Sequence, residues 1–283
     1  MALRRNYSRY AAASNGQVYL YRSVAELLSS HIERGIHCAV LGDTALEFLF
    51  IPRDSRNLII IFHAAANPQT LTLPIFVGLG ITKDLDASIM VVSDPALEYS
   101  IPTGWFVGSE KIALQRKLKK AIRHVAKACG ADNLIFQGAS AGGFAAMQYS
   151  ASFPGSLAVA INPQTDLSSH YPERVQPYLD VCWGGSMPSD AAATTNLLSF
   201  YSTRFDNFIL YVQNEQDTFH LKNHYHQWAK TFDDVRGERW SLLSGDWGPG
   251  HAAPPPFFQT AILEYALTFN GKWEEFLHSE EFS

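Results

Sequence analysis

The chain has 283 residues, 47% hydrophobic and 17% charged, with a formal net charge of −5. That length and apolar content suit one large globular core, and the acidic balance excludes a general nucleic-acid binder, whose phosphate contacts need a basic surface. Cys38, Cys129 and Cys182 are odd in number and widely spaced, which fits no disulfide framework or metal pattern and points to reduced thiols in a cytoplasmic protein.

No apolar stretch follows Arg4, Arg5 and Arg9, and no run of eighteen apolar residues occurs, so neither a secretory signal nor a membrane span is expected. Residues 1–15 read as a loose arm and Val18–Tyr21 as a short strand. Ser23, with Glu26 three residues on, is a capping box for a helix reaching about Arg34, where Gly35 ends it. His37–Leu41 and Leu46–Ile51 read as two strands around Gly42-Asp43. Residues 1–54 are thus an N-terminal extension of the main fold or a small module. Asn57–Phe62 is the continuous apolar run of a buried parallel strand, and it leads into His63-Ala64-Ala65. Ser88–Val92 is the next strand, ending at Ser93-Asp94-Pro95. Parallel strands present their C-termini to a ligand crevice, so Asp94 and the nearby Trp105 are candidate pocket walls. Glu110–Cys129 reads as the clearest helix, with Leu118, Ile122, Val125 and Cys129 on one apolar stripe. Arg116, Lys117, Lys119, Lys120, Arg123 and Lys127 occupy its other faces and read as a solvated surface, with a polyanion-binding strip as the alternative.

Gly130 closes that helix ahead of the strand Leu134-Ile135-Phe136. Then comes Gly138-Ala139-Ser140-Ala141-Gly142, and a helix from Phe144 that stops before Pro154. A serine on so sharp a turn takes strained backbone angles, and the close passage of strand and helix leaves no room for a β-carbon two residues to either side. The helix start also offers the unpaired amide of Ala141 where an oxyanion would form. The G-x-S-x-G pentapeptide is modest evidence alone; in this strand–turn–helix context it resembles the nucleophile elbow of the α/β-hydrolase superfamily. The resemblance spans residues from about 55 to 270 and implies an α/β-hydrolase fold, a mostly parallel central sheet flanked by helices, in a single domain over 1–283. It makes Ser140 the nucleophile. The family often ends an earlier strand in His-Gly; here His63 stands in place but Ala64 replaces the glycine. The second oxyanion donor is then a backbone amide of Ala64 or Ala65, with His63 a candidate substrate contact.

Leu157–Ile161 is a further buried strand, and its exit carries Gln164, a candidate substrate contact, and Asp166. Residues 167–206 are rich in proline and glycine and correspond to the cap or lid insertion that the family places here. Trp183 in this segment, with Tyr171, Tyr178, Phe200 and Tyr201, is a candidate wall for an acyl chain or a sugar. Phe208–Val212 ends near Asp217, where the family's acid most often lies. A helix over about His220–Phe232 and a last strand, Glu238–Leu243, lead to His251 in a Gly/Pro loop, and the C-terminal helix starts after Pro254–Pro256. The order Ser140, Asp217, His251 is the family's triad order, with Asp166 and Glu215 as alternative acids. His251 would take the Ser140 proton and return it to the leaving group, while Asp217 fixes the ring's tautomer. His220 and His224 are four apart on a helix, a possible metal pair. No third ligand is identifiable, so no metal and no cofactor are expected, and His220 is a candidate substrate contact instead.

These residues imply a serine hydrolase cleaving a carboxylic ester through an acyl-enzyme. One alternative is an acyltransferase moving an acyl or acetyl group to a glycan hydroxyl. The elbow together with Asn162-Pro163-Gln164 resembles hydrolase-fold proteins of bacterial surface-glycan biosynthesis, over those short motifs only. A third reading is a non-catalytic binding protein on the same fold. The expected partner is a small-molecule ester or glycan, and no residue fixes the acyl length, the acceptor or the oligomeric state.

Overall fold

The computed structural model describes residues 5–279 apart from 68, 69 and 71. Its strands are β1 (Val18–Tyr21), β2 (Gly35–Leu41), β3 (Thr44–Ile51), β4 (Asn57–Phe62), β5 (Ser88–Ser93), β6 (Asn133–Ala139), β7 (Leu157–Ile161), β8 (Phe208–Asn214) and β9 (Trp240–Gly245). They form one sheet in the order β1-β2-β3-β5-β4-β6-β7-β8-β9. From β5 to β9 all neighbours are parallel; β3 is antiparallel to both β5 and β2. Every residue of β4, β5 and β7 is buried, which is why these segments read as unbroken apolar runs. β1 to β3 extend this same sheet.

Among the described residues four helices have ten or more residues: α1 (Leu114–Ala128), α2 (Ala141–Ser150), α3 (Pro172–Cys182) and α4 (Pro256–Thr268). α1 places Leu118, Ile122 and Val125 with Ala145 and Tyr149 of α2 against one sheet face. α4 covers the other face with Ile262, Leu263 and Ala266, beside Trp273 and Phe276. A third cluster joins the 167–206 segment to the body, through Tyr178, Leu179 and Tyr201 against Trp105, Phe144 and Trp228. Among the described residues no helix is long and apolar enough to cross a membrane.

Some expected boundaries move. The described part of the N-terminal arm is not loose: Tyr7–Tyr10 and Ala11–Ser14 are helical turns. Arg5 pairs with the buried Glu47 at 2.9 Å, and the Tyr7 hydroxyl donates to the same carboxylate at 2.7 Å. Residues 1–4 lie outside the described residues. The helix after Ser23 stops at Ser29, because the hydroxyls of Ser29 and Ser30 both donate to the Glu26 carbonyl and compete with the helical ladder. Gly35 therefore opens β2 instead of closing a helix. α1 starts at Leu114, not Glu110, since Ser109 and Ile112 form a bridge that holds a turn. Within 167–206 a short helix covers Leu197–Tyr201, capped by the Asn196 side chain.

Candidate active site

The crevice lies over the C-terminal edge of the parallel strands, where the chain leaves β4 and β6 to opposite sides of the sheet. Ser140 joins β6 to α2 with φ 56° and ψ −118°, a conformation costing about 1–3 kcal/mol in a non-glycine residue. Its glycine neighbours explain how the turn closes. A Cβ on Gly138 would sit 2.2 Å from the Gly142 carbonyl oxygen, and one on Gly142 would sit 2.4 Å from that of Phe62. Both obstacles are backbone and neither can swing away. Gly142→Ala should therefore lower unfolding stability by about 3 kcal/mol; an unchanged urea midpoint would mean the strand and helix separate more easily than this contact allows.

α2 begins at Ala141 without a side-chain cap, so its first amides have no partner within the helix. Ala65 lines the same cavity as Ala141 and Ser140, whereas Ala64 does not, and its carbonyl accepts from His63 Nδ1 at 2.7 Å. His63 was expected to face substrate, and it does not. It is buried, it accepts the Asp94 amide on Nε2 at 2.9 Å, and burial lowers its pKa. Asp94 is likewise no pocket wall. Its carboxylate accepts the amides of Ala96, Gly104 and Phe106, folding the loop that presents Trp105. Both residues shape the cavity from behind.

A buried hydrogen-bond chain runs behind the serine. Trp105 Nε1 donates to Gln164 Oε1 at 3.1 Å. An indole N–H can only donate, so the amide orientation is fixed and both Gln164 Nε2 hydrogens face the site. One donates to Ser140 Oγ at 3.1 Å and the other to His220 Nε2 at 2.8 Å. His220 Nδ1 then donates to Asp217 at 3.0 Å. His251 Nδ1 bonds the other oxygen of the same carboxylate, and the two imidazoles stack with centroids 3.9 Å apart. Burial alone would raise the Asp217 pKa, but the bonds from His220 and His251 outweigh it and hold the carboxyl below its usual range. Burial also dominates at His220 and lowers it despite Asp217. The two directions agree if a neutral His220 donates its Nδ1–H. Among the described residues Nε2 of His251 makes no hydrogen bond, and the side chain is 37% exposed.

Two residues that the sequence reading missed secure the His251 loop. Asn162 donates to the Ala252 carbonyl at 2.8 Å, and its oxygen accepts the Asn214 amide at 2.7 Å. Asn214 donates to the carbonyls of Gly248 and Gly250 at 2.8 and 2.7 Å. The signal was an asparagine at each of two buried strand ends, where apolar residues would otherwise stand. Asn214→Ala should cost on the order of 10²-fold in turnover by loosening the ring's placement, with binding of a substrate analogue little changed. Equal kinetics in the variant would mean the loop is held elsewhere.

The cavity over Ser140 has a volume of about 370 Å³. Its walls include Trp105, Gln164, Tyr171, His220 and His251 as expected, and also His170, Arg174 and Phe219, which were not. The Tyr171 and Phe219 rings stack with centroids 3.7 Å apart. Trp183 is elsewhere: its indole donates to the Tyr178 hydroxyl at 2.6 Å, and it lines a different groove. Asp166 is also apart. It caps the turn at Ser168 and accepts from Asn196, so it ties down the 167–206 segment. The Glu215 carboxylate accepts from Ser244 near the surface.

His170, His220 and His224 come close enough for one metal ion, the third ligand missing from the sequence. As bonded, they do not offer three free lone pairs. The Thr165 amide donates to His224 Nδ1 at 3.2 Å, so a neutral His224 carries its proton on Nε2, and Gln164 occupies His220 Nε2. Burial pushes His170 down to about 4 and His224 to about 3. Both stay neutral in the fold while the unfolded chain protonates them near pH ~6.5. Stability should then fall as pH drops from about 6.5 towards 4, since the unfolded state binds more protons. Thermal unfolding from pH 7 to 4 should show a shallower decline in His224→Gln than in the unmodified chain.

No family model and no curated protein matches the chain. Solved structures do. A capsule O-acetyltransferase of Neisseria meningitidis serogroup A, as a His-to-Ala variant in complex with CoA, matches at 16% identity and TM-score 0.57, over 86% of this chain and 96% of that one. An S-formylglutathione hydrolase from Agrobacterium tumefaciens matches at 14% identity and TM-score 0.56, over 84% and 93%. A Pyrococcus furiosus esterase matches at 13% identity and TM-score 0.51, over 89% and 90%. The chain has the α/β-hydrolase fold.

Proposed function

We propose that the protein is a serine esterase, cleaving a carboxylic ester of short acyl chain through an acyl-enzyme on Ser140. The observation that carries this reading is the bonding of one buried carboxylate, Asp217, to His251 at the mouth of the cavity that also exposes the strained Ser140. Two histidines share Asp217, and the hydrogen count chooses between them. Gln164 fills the Nε2 lone pair of His220, so that ring cannot take a proton without losing its partner. His251 has its Nδ1 on Asp217 and Nε2 free. Gln164 also donates to Ser140 Oγ, which leaves the serine's own hydrogen to be given away. Catalytic hydrogen bonds often close only when substrate is bound.

In the first half-reaction Oγ bonds to the acyl carbon as its proton passes to His251 Nε2. The amides of Ala141 and Ala65 meet the oxyanion, each such donor being worth about 2.7–4 kcal/mol. The tetrahedral intermediate expels the alcohol, which leaves with the proton from His251. Water then repeats the sequence on the acyl-enzyme and frees the acid. Asp217 stays ionised throughout and stabilises the imidazolium. A cavity of about 370 Å³ is at the small end for ligand sites, which supports a short acyl group, and the 167–206 segment acts as its cap.

A second reading is acyl transfer to a sugar hydroxyl. The stacked Tyr171 and Phe219 rings give the cavity a flat apolar wall suited to a sugar face, and a fold neighbour is a capsule O-acetyltransferase. One assay separates the two. The enzyme is given 4-nitrophenyl acetate or acetyl-CoA, with and without oligosaccharide, and intact protein and products are weighed by mass spectrometry. The esterase forms acetyl-Ser140 and releases acetate at a rate indifferent to sugar. A transferase yields acetylated sugar, and Tyr171→Ala removes that product while slow hydrolysis persists. Absence of any serine adduct from both donors would leave the binding-protein reading.

A further inference from the structure

A second groove, of about 470 Å³, lies between α1 and residues 190–194, and no residue lines both it and the Ser140 cavity. Arg116, Lys119, Lys120 and Arg123 line it, at spacings i, i+3, i+4 and i+7, one face of a helix. The pairs Arg116/Lys120 and Lys119/Arg123 are like charges four apart, an arrangement that destabilises a helix by a few tenths of a kcal/mol each. Among the described residues no carboxylate lies within ion-pairing distance of any of the four. Asp190 is the single acid in the lining. Lys119 is half-buried, and burial followed by the neighbouring Arg123 lowers its pKa to about 8. The first turn of α1 has no side-chain cap and opens on the same groove through Ala113, adding the positive end of a helix dipole. Strain of this kind, in a chain of net charge −5, is what an anion would relieve.

We propose that this groove binds a ligand carrying two adjacent phosphate groups. The cationic face runs roughly 10 Å along the helix at 1.5 Å per residue, more than a single phosphate covers; Arg116 offers a forked donor to phosphate oxygens, and the Ser152 carbonyl, which accepts from one end of the Arg123 guanidinium, leaves its other N–H groups to do the same. Binding in this groove is independent of the Ser140 chemistry.

Calorimetry at low ionic strength would compare pyrophosphate, orthophosphate and citrate, with Ser140→Ala as a control for the other cavity. Saturable pyrophosphate binding is expected, at least about tenfold tighter than orthophosphate or citrate and unchanged in Ser140→Ala. Lys119→Gln/Arg123→Gln and, separately, the exposed pair Arg116→Gln/Lys120→Gln should each weaken it about tenfold. Arg116→Gln/Lys120→Gln should melt no lower than the unmodified protein without ligand, because it removes only like-charge repulsion, whereas Lys119→Gln/Arg123→Gln also gives up the Arg123 bond to the Ser152 carbonyl and the ring contacts with Phe153 and Phe200 and is read by its loss of affinity in the folded state. ADP and tripolyphosphate then distinguish the source, either supporting the proposal: tighter binding of the first assigns a nucleotide, of the second an inorganic polyphosphate. No saturable heat with pyrophosphate, citrate binding equally well, or unchanged affinity in both variants would overturn the proposal.

Discussion

Replacing Ser140 with alanine is expected to lower turnover of an activated ester by roughly 10⁴–10⁶-fold while leaving substrate binding largely intact. The side chain does little for the fold. It is only half-buried, and among the described residues its one hydrogen bond from another side chain comes from Gln164 at 3.1 Å, so the stability change should stay within about 1 kcal/mol. A fluorophosphonate probe should mark the unmodified protein once, at Ser140, and leave Ser140→Ala unmarked. Labelling that persists in the variant would place the nucleophile elsewhere and remove the basis for the proposed mechanism. Labelling without ester turnover would locate a reactive serine whose substrate the cavity selects more narrowly.

What could be read from the sequence follows the range of the forces involved. The parallel strands were legible because β4, β5 and β7 are buried on both faces and therefore continuously apolar. The elbow was legible because its glycines answer a local backbone clash. What escaped depends on partners distant in sequence. The arm looked loose until Glu47 was seen waiting for Arg5 and Tyr7. Trp183 looked like a substrate wall until its indole was found bonded to Tyr178. His63 and Asp94 stand at the right strand exits, yet His63 bonds the backbone of Ala64 and Asp94, the Asp94 carboxylate holds the loop of Trp105, and neither lines the cavity. Strand order tells which loop reaches the crevice. It does not tell which side chain of that loop turns inward, since that is settled by hydrogen bonds closed across the sheet. The same holds for Asn162 and Asn214, whose amides join the exits of β7 and β8 to the loop of His251.

The proposed acid gives the other large effect. Asp217→Asn is expected to reduce turnover by roughly 10⁴-fold, because the carboxylate serves two rings at once. His220 Nδ1 and His251 Nδ1 both donate to it. An asparagine has one carbonyl oxygen in place of two acceptors, and its NH₂ then confronts an N–H, so one imidazole must change tautomer. If His251 changes, its Nε2 gains a hydrogen and can no longer accept the serine proton. If His220 changes, its Nε2–H confronts the Gln164 amide that also holds Ser140. Either way the site loses its proton path. Because hydrogen bonds keep Asp217 below the usual carboxylate range, it adds stability above the unfolded value of ~3.9 that is lost as pH falls below it. Asp217→Asn should therefore also unfold at lower temperature at neutral pH, with the gap to the unmodified protein narrowing in acid. Asp166→Asn is the comparison. Asp166 caps a turn and binds Asn196, with no bond to either ring and no place in the cavity lining, so its replacement should leave turnover within a few-fold and touch only stability. A larger kinetic loss from Asp166→Asn than from Asp217→Asn would transfer the acid's role to the exit of β7 and strip His251 of its assigned partner.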